Sequence, residues 1–153
     1  MARTSAGLLP FRHTPEGIEV FVAHMGGPFW ARRTRAWSIV KGEFDPATED
    51  GAAAAAREFA EETGAPAPPA PWLDLGTIRQ SGGKVVHAFA VEAPQVAFVA
   101  SNEIDIEWPP RSGRTMRVPE VDRADWLGLE AARDVLVAAQ AELLDRLADL
   151  AAG

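Results

Sequence analysis

The sequence predicts an α/β fold, an α/β/α sandwich built around a mixed central sheet. Three observations lead there. Short apolar runs bounded by turn residues lie both before and after one strongly helical segment between Thr48 and Gly64, and an amphipathic helical segment closes the chain from Glu130 to Leu150. A sheet fed by strands from both sides of a helix has two faces to cover, and the two helical segments supply the covers. With 153 residues and 47% apolar content, the chain can form one well-packed core, and a single domain over 1–153 is expected.

Taken in order, Ser5 to Arg12 and Ile18 to His24 are short apolar runs separated by Thr14-Pro15-Glu16-Gly17, a turn composition, and they read as a strand pair. The glycines and proline between His24 and Trp30 predict a loop, which continues into the basic residues Arg32, Arg33 and Arg35. Trp37 to Val40 is a short strand leading into Lys41-Gly42. Thr48 is the expected N-cap of the first helix, with Glu49 and Asp50 in its first turn, and the alanines at 52–56 have the highest helix propensity. Gly64 and Pro66 end that helix, and the Ala/Pro stretch beyond it is an extended connection within the domain.

Trp72 to Gln80 and Lys84 to Glu92 flank Ser81-Gly82-Gly83 and read as a hairpin. Val96 to Val99 is a weaker strand or a loop. From Glu103 to Trp108 apolar and acidic residues alternate, placing Ile104, Ile106 and Trp108 on one face and Glu103, Asp105 and Glu107 on the other. Thr115 to Val118 is a return strand, followed by Asp125 to Leu129. Between Glu130 and Leu150 apolar residues recur at three- and four-residue intervals, the pattern of one amphipathic helix or two in series.

The formal charge of −7 and pI near 4.9 argue against binding of long nucleic acid through its phosphates. A small phosphorylated ligand is still compatible with a local cationic or metal-filled site. The absence of cysteine excludes disulfides, thiolate metal sites and cysteine nucleophiles. The amino-terminal apolar patch is broken by Pro10 and is too short for a signal core or a membrane span, so a cytoplasmic protein without membrane association is expected. Self-association as a homodimer is left open.

The chemistry concentrates in Arg57-Glu58-Phe59-Ala60-Glu61-Glu62. Glu58, Glu61 and Glu62 stand at i, i+3 and i+4, so on a helix they share one face within about 5–6 Å of one another. Such a cluster repels itself unless it is solvated or neutralised. Hard oxygen ligands of this kind suit Mg²⁺, with Mn²⁺ as the alternative.

The segment from Gly42 to Ala65 resembles the Nudix box: Gly, five residues, Glu, seven residues, then Arg-Glu-apolar-any-Glu-Glu-any-Gly-apolar. From Glu49 onward every specified position fits. Six residues rather than five separate Gly42 from Glu49, so the loop is one residue longer. The resemblance implies a Nudix-like fold and a metal-dependent hydrolase that cleaves a phosphoanhydride in a nucleoside diphosphate linked to another group. It also implies that Glu58, Glu61 and Glu62 hold Mg²⁺, that Glu49 pairs with Arg57 to orient them, and that the Gly42 carbonyl adds a ligand. GEFDP followed later by EWPP is most similar to the dinucleoside polyphosphate hydrolases of that family. Nucleoside triphosphates, ADP-ribose-type sugars and a non-catalytic nucleotide sensor are the alternatives.

The general base is not specified by the box. Glu62 ranks first, Glu107 second and Glu103 third. Lys41 and Arg35 are candidates for substrate phosphate, although the basic stretch around Arg35 also reads as a solvated loop. Trp37, with Trp30 and Trp108, is a candidate for stacking on a base, against the plainer role of core packing. His13, His24 and His87 show no joint metal-site spacing and read as structural.

Overall fold

The computed structural model describes residues 3–151; Met1, Ala2, Ala152 and Gly153, which the expected domain and amino-terminal segment include, lie outside them. Among the described residues nine strands and three α-helices follow one another as β1 (Thr4–Thr14), β2 (Gly17–Met25), β3 (Trp37–Ser38), β4 (Val40–Glu43), α1 (Gly51–Thr63), β5 (Leu73–Arg79), β6 (Val85–Glu92), β7 (Glu103–Glu107), β8 (Thr115–Pro119), β9 (Val121–Gly128), α2 (Leu129–Val135) and α3 (Ala141–Ala151). Seven strands form the main sheet in the path β3-β2-β1-β6-β5, with β4 also on β1 and β9 on β2. The β1–β6 pairing is parallel and the others are antiparallel, so the sheet is mixed as expected.

The longest strand, β1, does two jobs along its length. Its first half pairs with β4, Ser5 opposite Glu43 through Leu8 opposite Val40, and its second half pairs with β2, Phe11 opposite Val20 through Thr14 opposite Gly17. Lys41 and Gly42 are thereby held on the central strand. Alternation along β1 sends Ala6 and Leu8 to one core and Leu9 and Phe11 to another. The first core is closed by Ala54, Ala55 and Phe59 of α1, and the second by Leu136, Leu143, Leu144 and Leu147 of the carboxy-terminal helices. Two cores on the two faces of one sheet are the expected α/β/α sandwich.

Gln140, fully buried, pins the interruption between β3 and β4. Its Oε1 accepts from the Ile39 N–H at 2.9 Å, and its Nε2 donates to Ser38 Oγ at 2.9 Å and Gln80 Oε1 at 3.0 Å. A buried amide needs such partners to offset its desolvation.

One expectation is corrected. Helix α1 starts at Gly51 with Asp50 as N-cap, its carboxylate accepting from the Ala53 N–H, rather than at Thr48. Asp45 is the reason: its carbonyl accepts from the N–H groups of Thr48 and Glu49 and its carboxylate from that of Ala47, which turns the chain before the helix can begin. Val96 to Val99, read as a weak strand or a loop, is loop. The strand and return strand read between Glu103 and Val118 pair with each other as β7 and β8, in a separate two-stranded sheet. Gly64, at φ 75°, ends α1 as read. No helix among the described residues is long and apolar enough to cross a membrane.

Candidate active site

Helix α1 lies against β1 and β4 and presents its acidic residues beside Gly42. Glu58 and Glu62 are buried, at 8% and 3% exposure, whereas Glu61 is exposed. Three carboxylates of one helical face therefore meet different surroundings, because the packing of Phe59 into the core rotates 58 and 62 inward.

Arg57 organises them. Its Nε and Nη2 donate to the two carboxylate oxygens of Glu49 at 3.0 and 2.9 Å, a bidentate fork, while Nη1 donates to Glu58 Oε1 at 2.8 Å and reaches Glu61 Oε1 at 3.5 Å. The hydrogen bond from Arg57 holds the Glu49 carboxyl below the ordinary carboxylate range. Burial raises the Glu58 carboxyl, against the pull of Arg57.

Glu62 has a partner outside the helix. Burial first, then the hydrogen bond and charge of Glu120, pushes its carboxyl up to about 10. The Asn102 side-chain amide, oriented to satisfy its neighbours, donates to Glu62 Oε1 at 3.1 Å. The backbone N–H of Asn102 donates to the Glu61 carbonyl, and its carbonyl accepts from the Glu120 N–H. Asn102 thus ties the end of α1 to the turn between β8 and β9.

Among the described residues, no three carboxylate or imidazole groups already stand in ready coordination. Glu58 is turned toward Arg57 and Glu62 toward Glu120. The donor set nevertheless fits a hard divalent cation: it is all oxygen, it comes from one helical face beside Gly42, and Glu62 and Glu120 are two carboxylates whose close approach a cation relieves. Gly42 fits as well. A Cβ placed on it would fall inside the Glu58 carboxyl group, so only glycine lets that carboxylate lie against the β4 backbone. The additional residue between Gly42 and Glu49 is absorbed in the turn collected by Asp45, and Gly42 still meets the acidic cluster.

A cavity of about 560 Å³ opens beside this cluster. Glu62, Glu120 and Lys41 contribute its polar wall; Phe29, Trp30, Ile104, Ile106 and Trp108 contribute apolar wall from the β2–β3 loop and the β7–β8 hairpin. Lys41 is half-buried, and burial followed by the charge of Lys84 lowers its ammonium, with Glu43, Glu62 and Glu120 pulling the other way.

The remaining candidates are divided by the fold. Trp30 and Trp108 line the cavity. Trp37 instead packs against the core under α2 and α3, edge-to-face with His24, and lies outside the cavity lining. Arg35 donates twice from Nη1 to the carbonyls of Arg133 and Leu136 at the end of α2, and it too is outside that lining. Glu107 touches the cavity, but its carboxylate accepts from the N–H groups of Arg111 and Gly113 and so holds the hairpin turn together. Glu103 and Asp105 both pair with Arg117. His24 pairs with Asp122 and His87 with Asp74, as structural histidines do.

Glu120 and Asn102 are the site residues that sequence reasoning did not find. No periodicity or motif singles them out; the only cue is their place among the turns around the β7–β8 hairpin.

A NUDIX domain model matches residues 3–147. No curated protein sequence matches. Among solved structures, the chain is similar to the C. elegans Ap4A hydrolase in a binary complex, at 21% identity, covering 99% of each chain with a TM-score of 0.65. The NUDIX domain of Shewanella oneidensis NrtR complexed with ADP ribose is 15% identical over 99% of this chain and 89% of that one, with a TM-score of 0.63. The E. coli ORF135 protein is 19% identical over 99% and 93%, with a TM-score of 0.59. At these identities the structural likeness concerns the fold.

Proposed function

Since the chain belongs to the Nudix hydrolase family, we propose that it is a divalent-metal-dependent pyrophosphohydrolase that cleaves a phosphoanhydride in a nucleoside diphosphate linked to another group. The observation that carries this reading is the acidic cluster itself: Arg57 clamps Glu49 and Glu58, and buried Glu62 faces Glu120, at the wall of a cavity large enough for a nucleotide.

Glu58, Glu61 and Glu62, with Glu120 and the Gly42 carbonyl, are the groups to hold Mg²⁺ or Mn²⁺, which when bound neutralises phosphoryl oxygens and makes water a better nucleophile. The chain's own residues do the rest. Arg57 fixes the direction of Glu58 through a donor that Glu49 immobilises. Once a cation relieves the repulsion that keeps its proton on, Glu62 would accept the proton of the attacking water beside Glu120, with Asn102 holding it in place. Lys41 meets the negative charge of the phosphate chain from β4, and Trp30 and Trp108 provide π faces for a nucleobase.

Within this class we favour a dinucleoside polyphosphate as substrate. The GEFDP and EWPP segments resemble that group, and a hydrolase of Ap4A is among the fold neighbours. We propose a single domain, from the length and apolar content of the chain, and a cytoplasmic location, with which its cysteine-free composition is compatible. The test is incubation with dinucleoside polyphosphates, nucleoside triphosphates and ADP-ribose, with and without Mg²⁺, and separation of products by chromatography. Mg²⁺-dependent cleavage of a phosphoanhydride supports the proposal. Tight binding with no turnover of any of them would identify a nucleotide sensor instead.

A further inference from the structure

Trp30 is not a wall of the main cavity alone. That residue also lines a second, shallower cavity of about 430 Å³, whose other walls are Arg32, Arg33, Thr34 and Arg35. Trp30 is thus a wall common to both cavities.

Three arginines within four residues are unusual company on a chain of formal charge −7. Several arginines elsewhere are neutralised, Arg12 by Glu19, Arg117 by Glu103, Arg133 by Asp145 and Arg146 by Glu142, and those left without a carboxylate among the described residues, Arg79, Arg111 and Arg114, line neither cavity. Among the described residues no carboxylate stands within ion-pair distance of Arg32, Arg33 or Arg35. Their positive charge is left uncompensated beside a cavity.

Two of the three are nevertheless fixed in direction. The Arg33 guanidinium stacks 3.9 Å from the Phe29 ring centre, and its Nε donates to the Phe29 carbonyl at 3.1 Å. This leaves both of its terminal nitrogens free to donate. Arg35 is held by Nη1 alone, on the carbonyls of Arg133 and Leu136, leaving Nε and Nη2. A guanidinium that is pre-oriented but not neutralised loses little rotamer freedom on meeting an anion and offers a fork that matches phosphate oxygens. Arg32 adds charge, and Thr34 adds a hydroxyl.

We propose that Arg32, Arg33 and Arg35 form a distal anion subsite that grips phosphate lying beyond the hydrolysed phosphoanhydride, so that the enzyme selects nucleotides carrying a long polyphosphate chain over those whose second moiety is a neutral sugar. This rests on the pyrophosphohydrolase reading for its kinetic consequence, but the subsite itself is testable without catalysis.

The variant is Arg32→Gln with Arg33→Gln, leaving Arg35 in place because it caps α2; Arg79→Gln, which removes one arginine outside either cavity, serves as the control for loss of a remote positive charge. Thermal melting establishes that each is folded. In calorimetric titration with inorganic tripolyphosphate and no divalent metal, the double variant binds at least about tenfold more weakly than wild type, the size of effect expected for lost charge-assisted hydrogen bonds, and Arg79→Gln binds as wild type does. In the Mg²⁺ assay, the double variant raises KM for diadenosine tetraphosphate by a similar factor with kcat unchanged, and leaves KM for ADP-ribose within about twofold. Unchanged tripolyphosphate affinity overturns the subsite, as do equal KM shifts for the two nucleotides. If neither nucleotide is hydrolysed, the pyrophosphohydrolase reading fails, and the tripolyphosphate titration still decides the subsite by itself.

Discussion

Arg57 holds both carboxylate oxygens of Glu49, at 2.9 and 3.0 Å, while a third N–H of the same guanidinium reaches Glu58 at 2.8 Å. The residue before the helix and the residue inside it are thus oriented by one planar group. Lysine can replace its charge but not its fork. Arg57→Lys is therefore expected to lower kcat by at least about tenfold while shifting the melting temperature by no more than a few degrees, since Arg57 is largely exposed. Steady-state kinetics and calorimetry on one preparation check both halves.

Gly42 is expected to be intolerant of even one methyl group. A Cβ there would overlap the Glu58 carboxyl, which is the end of a flexible side chain and can swing away. The fold then survives, but the carboxylate leaves its place. Gly42→Ala should melt close to wild type and lose most of its Mg²⁺-induced rise in Tm, measured with and without the ion. A full Mg²⁺ response would show that Glu58 does not need that position.

The metal-free protein should lose stability as pH rises. Burial, then Glu120, raises the folded-state carboxyl of Glu62 to about 10, whereas an unfolded glutamate titrates near ~4.3. Between those limits the folded state holds a proton that the unfolded state has released. The resulting stabilisation is complete below the unfolded value and is lost as pH climbs through the folded one. Relative to Glu62→Gln, which has no such proton, wild type without metal should show a falling Tm from about pH 5 to about pH 9. Added Mg²⁺ should offset the fall. Parallel Tm curves for the two proteins would contradict this account of Glu62.

Glu120 and Glu107 should behave differently although both border the cavity. Glu120 faces Glu62, whereas Glu107 accepts the N–H groups of Arg111 and Gly113. Glu120→Gln is expected to lower kcat by roughly a hundredfold, within the range of a lost acid–base group. Glu107→Gln should leave kcat within a few-fold and loosen the hairpin, read as faster amide exchange at 108–114.

How legible the site was depends on how local its determinants are. Glu49, Arg57, Glu58, Glu61 and Glu62 sit in one turn and one helix, so spacing along the chain translates directly into spacing in space, and their mutual geometry was readable before any fold was known. Gly42 was readable as part of the same motif, and its longer loop proved harmless because Asp45 gathers the surplus residue into a turn. Glu120 was not readable. It reaches Glu62 only because Asn102 ties the end of α1 to the turn between β8 and β9, a long-range contact with no signature in periodicity. The three tryptophans show the same limit. Composition offers Trp30, Trp37 and Trp108 as equals, and only the packing of β3 against the helical core removes Trp37 from the cavity. The sandwich followed from the alternation of helical and strand patterns, but the separation of β7 and β8 from the main sheet depended on pairing partners that alternation does not name.

The account stands most directly on Glu62, which is buried at 3% exposure, faces Glu120 and closes the polar wall of the cavity. The decisive measurement is the turnover of Glu62→Gln at saturating Mg²⁺ and saturating nucleotide, with folding confirmed by its melting curve. A drop of roughly a hundredfold or more in kcat, in a protein that melts at or above the wild-type temperature, is the predicted result. A folded Glu62→Gln enzyme that turns over at the wild-type rate would contradict it.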